Sequence, residues 1–148
     1  MIAPAVALLV AAFIAGHPVQ IMCDIPDSAT AVEAWSTPCG SFMHMKPSVC
    51  VGLTQKVGGT EHAVGQVSFA HAIGTVIHES AHAKGVRSEA CAEMYADIGV
   101  FDVLRRFYGV PFFTPLSWLV GRQVRDHTLH LPPNYQPTSG SCIGEPRG

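Results

Sequence analysis

His78-Glu79-Ser80-Ala81-His82 is the stretch of this chain with the clearest chemical content. Two histidines four apart in a helix lie on one face, one turn from each other, and can share one metal ion. A catalytic zinc takes three protein ligands and keeps a fourth position open. A water there is activated near neutral pH, and Glu79 stands where it can act as general base. The pair of histidines needs a third ligand. Glu89 follows seven residues after His82, and Glu93 one turn later on the same face. Either can complete a two-His, one-Glu site. The other can serve as the carboxylate that accepts a hydrogen bond from a ligand histidine.

These residues require two helices joined by a tight turn. The first reads from about Ser68 to Lys84, with Phe69, Ile73, Val76 and Ile77 as its core-facing stripe. Gly85 suits a helix C-terminus and Ser88 the N-cap of a second helix, read as Glu89 to about Tyr108. That helix presents Tyr95, Ile98, Phe101, Val103, Leu104 and Phe107 as apolar surface, and Arg105-Arg106 suit its C-terminal dipole. Thr114-Pro115 predicts the start of a third helix to about Leu129, burying Leu116, Leu119, Val120 and Val124 and stopped by Pro132-Pro133.

The run His78-Glu79-x-x-His82, followed by Glu89-Ala90-Cys91-Ala92-Glu93-Met94-Tyr95-Ala96, resembles the gluzincin clan of zinc metallopeptidases in its compact, minigluzincin form. The resemblance covers residues 71–97. It implies that His78, His82 and Glu89 bind zinc, that Glu79 is the base, and that the substrate is a peptide or protein. The linker from His82 to Glu89 is short for the clan, so the choice between Glu89 and Glu93 stays open. The flanking pattern also looks like small secreted bacterial proteins.

The rest of the chain frames this site. Its 148 residues suit one small domain, and a net charge of −2 offers no basic patch for nucleic acid. Residues 2–16 are almost wholly apolar but too short for a comfortable membrane span. They read as a secretory signal peptide, with an uncleaved anchor or a core-packed helix as alternatives. The domain proper is then 17–148, and a membrane is a partner only if 1–16 is retained. Between 19 and 66 the expectation is irregular structure with short strands. Val19–Cys23, Phe42–Met45 and Val49–Leu53 are the strand candidates, Asp27–Thr30 caps a short helix through Trp35, and Lys56–Thr60 is a loop. The whole is a mainly helical α+β fold, with a strand edge beside the metal helix available to pair with an extended substrate.

Three further polar groups carry weaker signals. His71 lies two turns before His78, about 10 Å along the axis, too far to share an ion but able to line a cleft or bind substrate. His44 and His62 have no partner at a telling distance. Tyr135, in the loop tail from Asn134, could donate a hydrogen bond to a developing oxyanion, or simply anchor the tail. Five cysteines in an extracellular chain imply two disulfides and one free thiol, with Cys142 expected to tie down the tail. The competing functional reading is a secreted non-catalytic protein in which zinc only staples two helices.

Overall fold

The computed structural model describes residues 3–30, 32–54 and 63–147. In chain order it contains helix α1 (Ala5–Ala15), strands β1 (Gln20–Met22), β2 (Ala34–Ser36) and β3 (Phe42–Met45), and helix α2 (Pro47–Gly52). Helices α3 (Ala63–Lys84), α4 (Glu89–Tyr108) and α5 (Pro115–Leu129) follow, then a 3-10 turn at Pro133–Tyr135. This is a mainly helical α+β fold with a small sheet in its N-terminal half.

Helix α3 is the axis of the molecule. It packs against α1, α2, α4 and α5 and touches β2 and β3. Phe69, Ile73, Val76 and Ile77 are all fully buried, as their spacing predicts, and Ala70, Ala72, Ala81 and Ala83 are buried with them. The alanines leave room for close approach of neighbouring backbone. Gly52 uses that room: a Cβ there would fall 2.4 Å from the Ser68 carbonyl oxygen, so α2 packs on α3 only through glycine.

The sheet has the order β1-β3-β2, with β1 parallel and β2 antiparallel to β3. Trp35 pairs with His44 across β2 and β3, and their rings stack at 4.1 Å. The stretch after Asp27 is therefore not a helix through Trp35. Pairing with β3 and the bond from Lys46 N–H to the Glu33 carbonyl hold it extended. Val49–Leu53 departs from expectation in the opposite sense: it lies in and just after α2. Pro47 occupies the first helical turn, where its missing N–H costs nothing, and a short apolar run fits a buried helix as well as a strand.

Two disulfides form, Cys23–Cys50 and Cys91–Cys142, and Cys39 is an exposed free thiol. The first joins the end of β1 to α2. The second ties the C-terminal tail to α4. Residues 5–15 form a helix packed on α3 with Ala7, Val10, Ala11 and Ala15 buried. Among the described residues no helix is long and apolar enough to cross a membrane. The caps of α4 and α5 are those expected: Ser88 accepts from Cys91 N–H, and Thr114 from Ser117 N–H. Ile98 and Leu119, expected in the core, are exposed instead, 68% and 40%. Helices α4 and α5 each pack along one face, and these two residues fall outside it. His62 and Lys56–Thr60 lie outside the described residues.

Candidate metal centre and cleft

The turn between α3 and α4 builds the centre. Gly85, at φ +116°, ends α3. Its N–H bonds the His82 carbonyl at 2.8 Å, and the Val86 N–H bonds the Ala81 carbonyl at 3.0 Å. This is the paired closure of a Schellman cap. Val86 and Ala81 pack together beneath it. The same turn brings the Val86 carbonyl back to His82, whose Nδ1 lies 2.7 Å from it. On the other side of the turn, the Glu145 carboxylate accepts the N–H groups of Arg87 and Ser88 at 2.9 and 3.0 Å. The tail, held by Cys91–Cys142 and by the Tyr95 hydroxyl on the Pro146 carbonyl, thus clamps the entry to α4 at Glu89.

His78, His82 and Glu89 converge and form a group that could hold a metal ion. His78 Nε2 is 3.1 Å from His82 Nε2 and 3.0 Å from Glu89 Oε2, and His82 Nε2 is 3.2 Å from the same oxygen. Tetrahedral bonds of about 2.0–2.1 Å place ligands roughly 3.3–3.4 Å apart, so the triangle needs to widen only by tenths of an ångström. Glu93 is not in this triangle. Its Oε1 lies 2.8 Å from His78 Nδ1, on the far side of the ring. That contact is bent, so the buried Nδ1 has no well-aligned hydrogen bond.

Nδ1 of each histidine faces an oxygen acceptor, the Glu93 carboxylate or the Val86 carbonyl, so a neutral ring carries its proton there. Both Nε2 lone pairs and the Glu89 carboxylate then point at one spot. That arrangement repels itself unless a proton or a metal cation sits among the three atoms. Burial alone pulls the His78 pKa down, but the Glu89 and Glu93 carboxylates outweigh it and hold it at about 10. Its contacts with His78 and His82 draw Glu89 down to about 2. The surroundings favour positive charge at this point.

Glu79 is buried beside the triangle, and burial pushes its carboxyl up, opposed by His78 and by the Ser36 hydroxyl. Ser36, on β2, lies 2.8 Å from both Glu79 Oε2 and the Glu79 carbonyl. Glu79 therefore lies where β2 meets α3. A cleft of about 720 Å³ runs along this junction, lined by β2, α3 and the turn that carries Tyr135, and it contains His78, Glu79, His82 and Glu89. Burial and the Glu89, Glu79 and Glu93 carboxylates raise the Tyr135 phenol. His71 lines the same cleft, with Nε2 on the Glu33 carboxylate at 2.8 Å and its ring 4.6 Å from that of His127. His44 lies apart, on Asp24. A more open hollow of about 460 Å³, between His17 and the free Cys39, holds none of these groups.

Four contributors have no local signal in the sequence: Ser36, Glu33, His127 and Thr128. Thr128 is buried in the last turn of α5. Its Oγ1 lies 3.0 Å from Glu93 Oε2 and 2.8 Å from Asp97 Oδ1. A hydroxyl has one proton to donate. If Thr128 gives it to Glu93, Asp97 can close the chain by donating to Thr128, and burial does push the Asp97 carboxyl up. The partners lie 31 and 35 residues away, so only the packing of α5 on α4 brings them together.

No protein family, curated protein or solved structure matches this chain.

Proposed function

We propose that the protein is a zinc-dependent peptidase of the gluzincin type, with His78, His82 and Glu89 as ligands and Glu79 as general base. The observation that carries the reading is the convergence of two Nε2 atoms and one carboxylate, each ring with an oxygen close to its Nδ1, beside a buried glutamate in an open cleft. Three N/O ligands with two imidazoles suit zinc, and a site with only three leaves a position free for chemistry. Zinc bound there supplies a Lewis acid that polarises the scissile carbonyl and acidifies water.

The chain's own residues do the rest. Glu79, its pKa raised by burial and its carboxylate steadied by Ser36, takes the proton of the attacking water and delivers it to the departing amine nitrogen. Glu93 keeps the His78 Nε2 lone pair directed inward, as Val86 does for His82. Tyr135, protonated at neutral pH, donates to the carbonyl oxygen as it gains charge. Strand β2 pairs with β3 along one edge and lines the cleft, so its other edge serves an extended peptide by strand addition. The two disulfides fit an extracellular protein, the setting in which a secreted peptidase works.

The test is Glu79→Gln with zinc measured alongside cleavage of a peptide library. Zinc content should stay at the wild-type level while turnover falls by about 10²–10⁴-fold. A wild type that holds zinc and cuts no peptide would favour the zinc-stapled binding protein instead.

A further inference from the structure

At the end of α4 remote from the cleft, the chain turns through Val110-Pro111-Phe112-Phe113 into α5. This tip is unusually apolar for a surface. Phe113 is fully exposed, Phe112 is 44% exposed, and Trp118 and Leu119, near the start of α5, are 58% and 40% exposed. Phe113 also has φ +60°, a left-handed conformation that costs energy for a bulky residue. Burying the ring would repay that cost, yet in the isolated chain the ring is in water.

The cations around the tip are arranged with the same rings. Arg105 lies over Phe112 at 5.1 Å and Arg122 over Trp118 at 5.3 Å. On the neighbouring helix Arg106 lies over Phe13 at 5.0 Å. Of the chain's nine Lys and Arg, three (Arg105, Arg106 and Arg122) lie against these rings, in a protein whose net charge is −2. The acids among them are Asp102, paired with Arg105 and Arg106, and Asp126, near Arg122. The surface is thus an exposed aromatic turn with arginines lying against its rings.

We propose that this tip seats the protein on an anionic lipid bilayer, with Phe112, Phe113 and Trp118 at the headgroup level and the arginines on lipid phosphates. Aromatic rings favour the membrane interface, and long cationic side chains reach from apolar surroundings to the charged layer. Arginine beside phosphate adds paired hydrogen bonds and responds to the negative surface potential. A second copy of the chain fits poorly, because self-pairing sets three arginines against three. Phe112, Phe113 and Trp118 line neither of the two hollows described above, which sets the tip apart from the peptide cleft. Arg105 is sixteen residues along α4 from Glu89, about 24 Å, so docking leaves the cleft open. The inference stands independently of metal and catalysis.

Flotation of the purified chain with phosphatidylcholine vesicles, with and without 30% phosphatidylglycerol, tests it. The wild type should float with the anionic vesicles, and float much less at 0.5 M salt or without phosphatidylglycerol. Phe112→Ser/Phe113→Ser should weaken anionic-vesicle binding at least tenfold, and Arg105→Gln/Arg122→Gln should weaken it several-fold. Both sets change exposed side chains, so circular dichroism should match the wild type. No flotation of the wild type, or equal flotation of a folded aromatic variant, overturns the proposal. A concentration-dependent dimer abolished by the aromatic pair would assign the face to a second copy and overturn it as well.

Discussion

Thr128→Val should weaken metal binding although Thr128 touches no ligand. Valine keeps the shape of threonine and removes the one hydroxyl between Asp97 and Glu93. Glu93 is buried, so Oε2 then loses its protein donor, a change that costs about 1–3 kcal/mol for such a group. The carboxylate is free to rotate toward water, and its other oxygen no longer holds His78 Nδ1 from behind. Loss of an outer partner of a metal-bound histidine lowers affinity about 10–100-fold, roughly 1.4–2.7 kcal/mol and in the same range. The assay is competition for zinc against a chromogenic chelator, with urea unfolding of the metal-free forms measured in parallel. Thr128→Ser restores the hydroxyl and should bind within about twofold of wild type. Wild-type affinity in a folded Thr128→Val would refute the chain from α5 to His78. Equal loss in the serine and valine forms would show that packing, not the hydroxyl, is what matters.

Further predictions concern stability and the tail. Gly52→Ala forces a Cβ onto the Ser68 carbonyl and should cost about 1–3 kcal/mol, read as a lower urea midpoint; an unchanged midpoint would contradict the close packing of α2 on α3. Tyr108 has a buried hydroxyl without a partner, and burial raises its pKa to about 12. Its ring packs edge-on to Phe69 at 5.0 Å, so Tyr108→Phe keeps the packing and should raise stability by about 1 kcal/mol; a loss of that size would mean the hydroxyl does have a partner. Removing Cys91–Cys142 by double substitution to serine frees the strap that carries Glu145, and zinc affinity should fall with stability. Unchanged zinc affinity in that variant would show that α4 holds Glu89 in place without the tail.

What could be read from the sequence follows the range of the forces involved. Helices α4 and α5 begin and end where their caps and apolar periods place them, because Ser88, Thr114, Pro115 and Gly109 act on their own neighbours. The convergence of His78, His82 and Glu89 was legible for the same reason, since a single helix and one seven-residue step bring them together. Glu93 was open as ligand or outer partner because both lie on one helical face; the side of the His78 ring it meets depends on how α4 crosses α3. The stretches at 32–36 and 49–53 depart from expectation because their local preferences are weak. Pairing with β3 fixes the first, and Pro47 with burial against α3 fixes the second. Ser36 and Thr128 could not be foreseen, as each meets its carboxylate across more than thirty residues. The N-terminal segment shows how one composition serves several ends. An apolar stretch suited to export also packs as α1 in the core, and the mass of the mature protein's N-terminus distinguishes retention from cleavage after Gly16.

His78, His82 and Glu89 are proposed to hold one zinc ion. Elemental analysis of the purified wild type and Glu89→Ala, each supplied with zinc and then desalted, addresses this directly. One zinc per chain is expected in the wild type, with its loss or marked weakening in the variant. A wild type that takes up no zinc would contradict the claim and remove the basis for the peptidase reading. Zinc held equally by Glu89→Ala would move the third ligand away from Glu89.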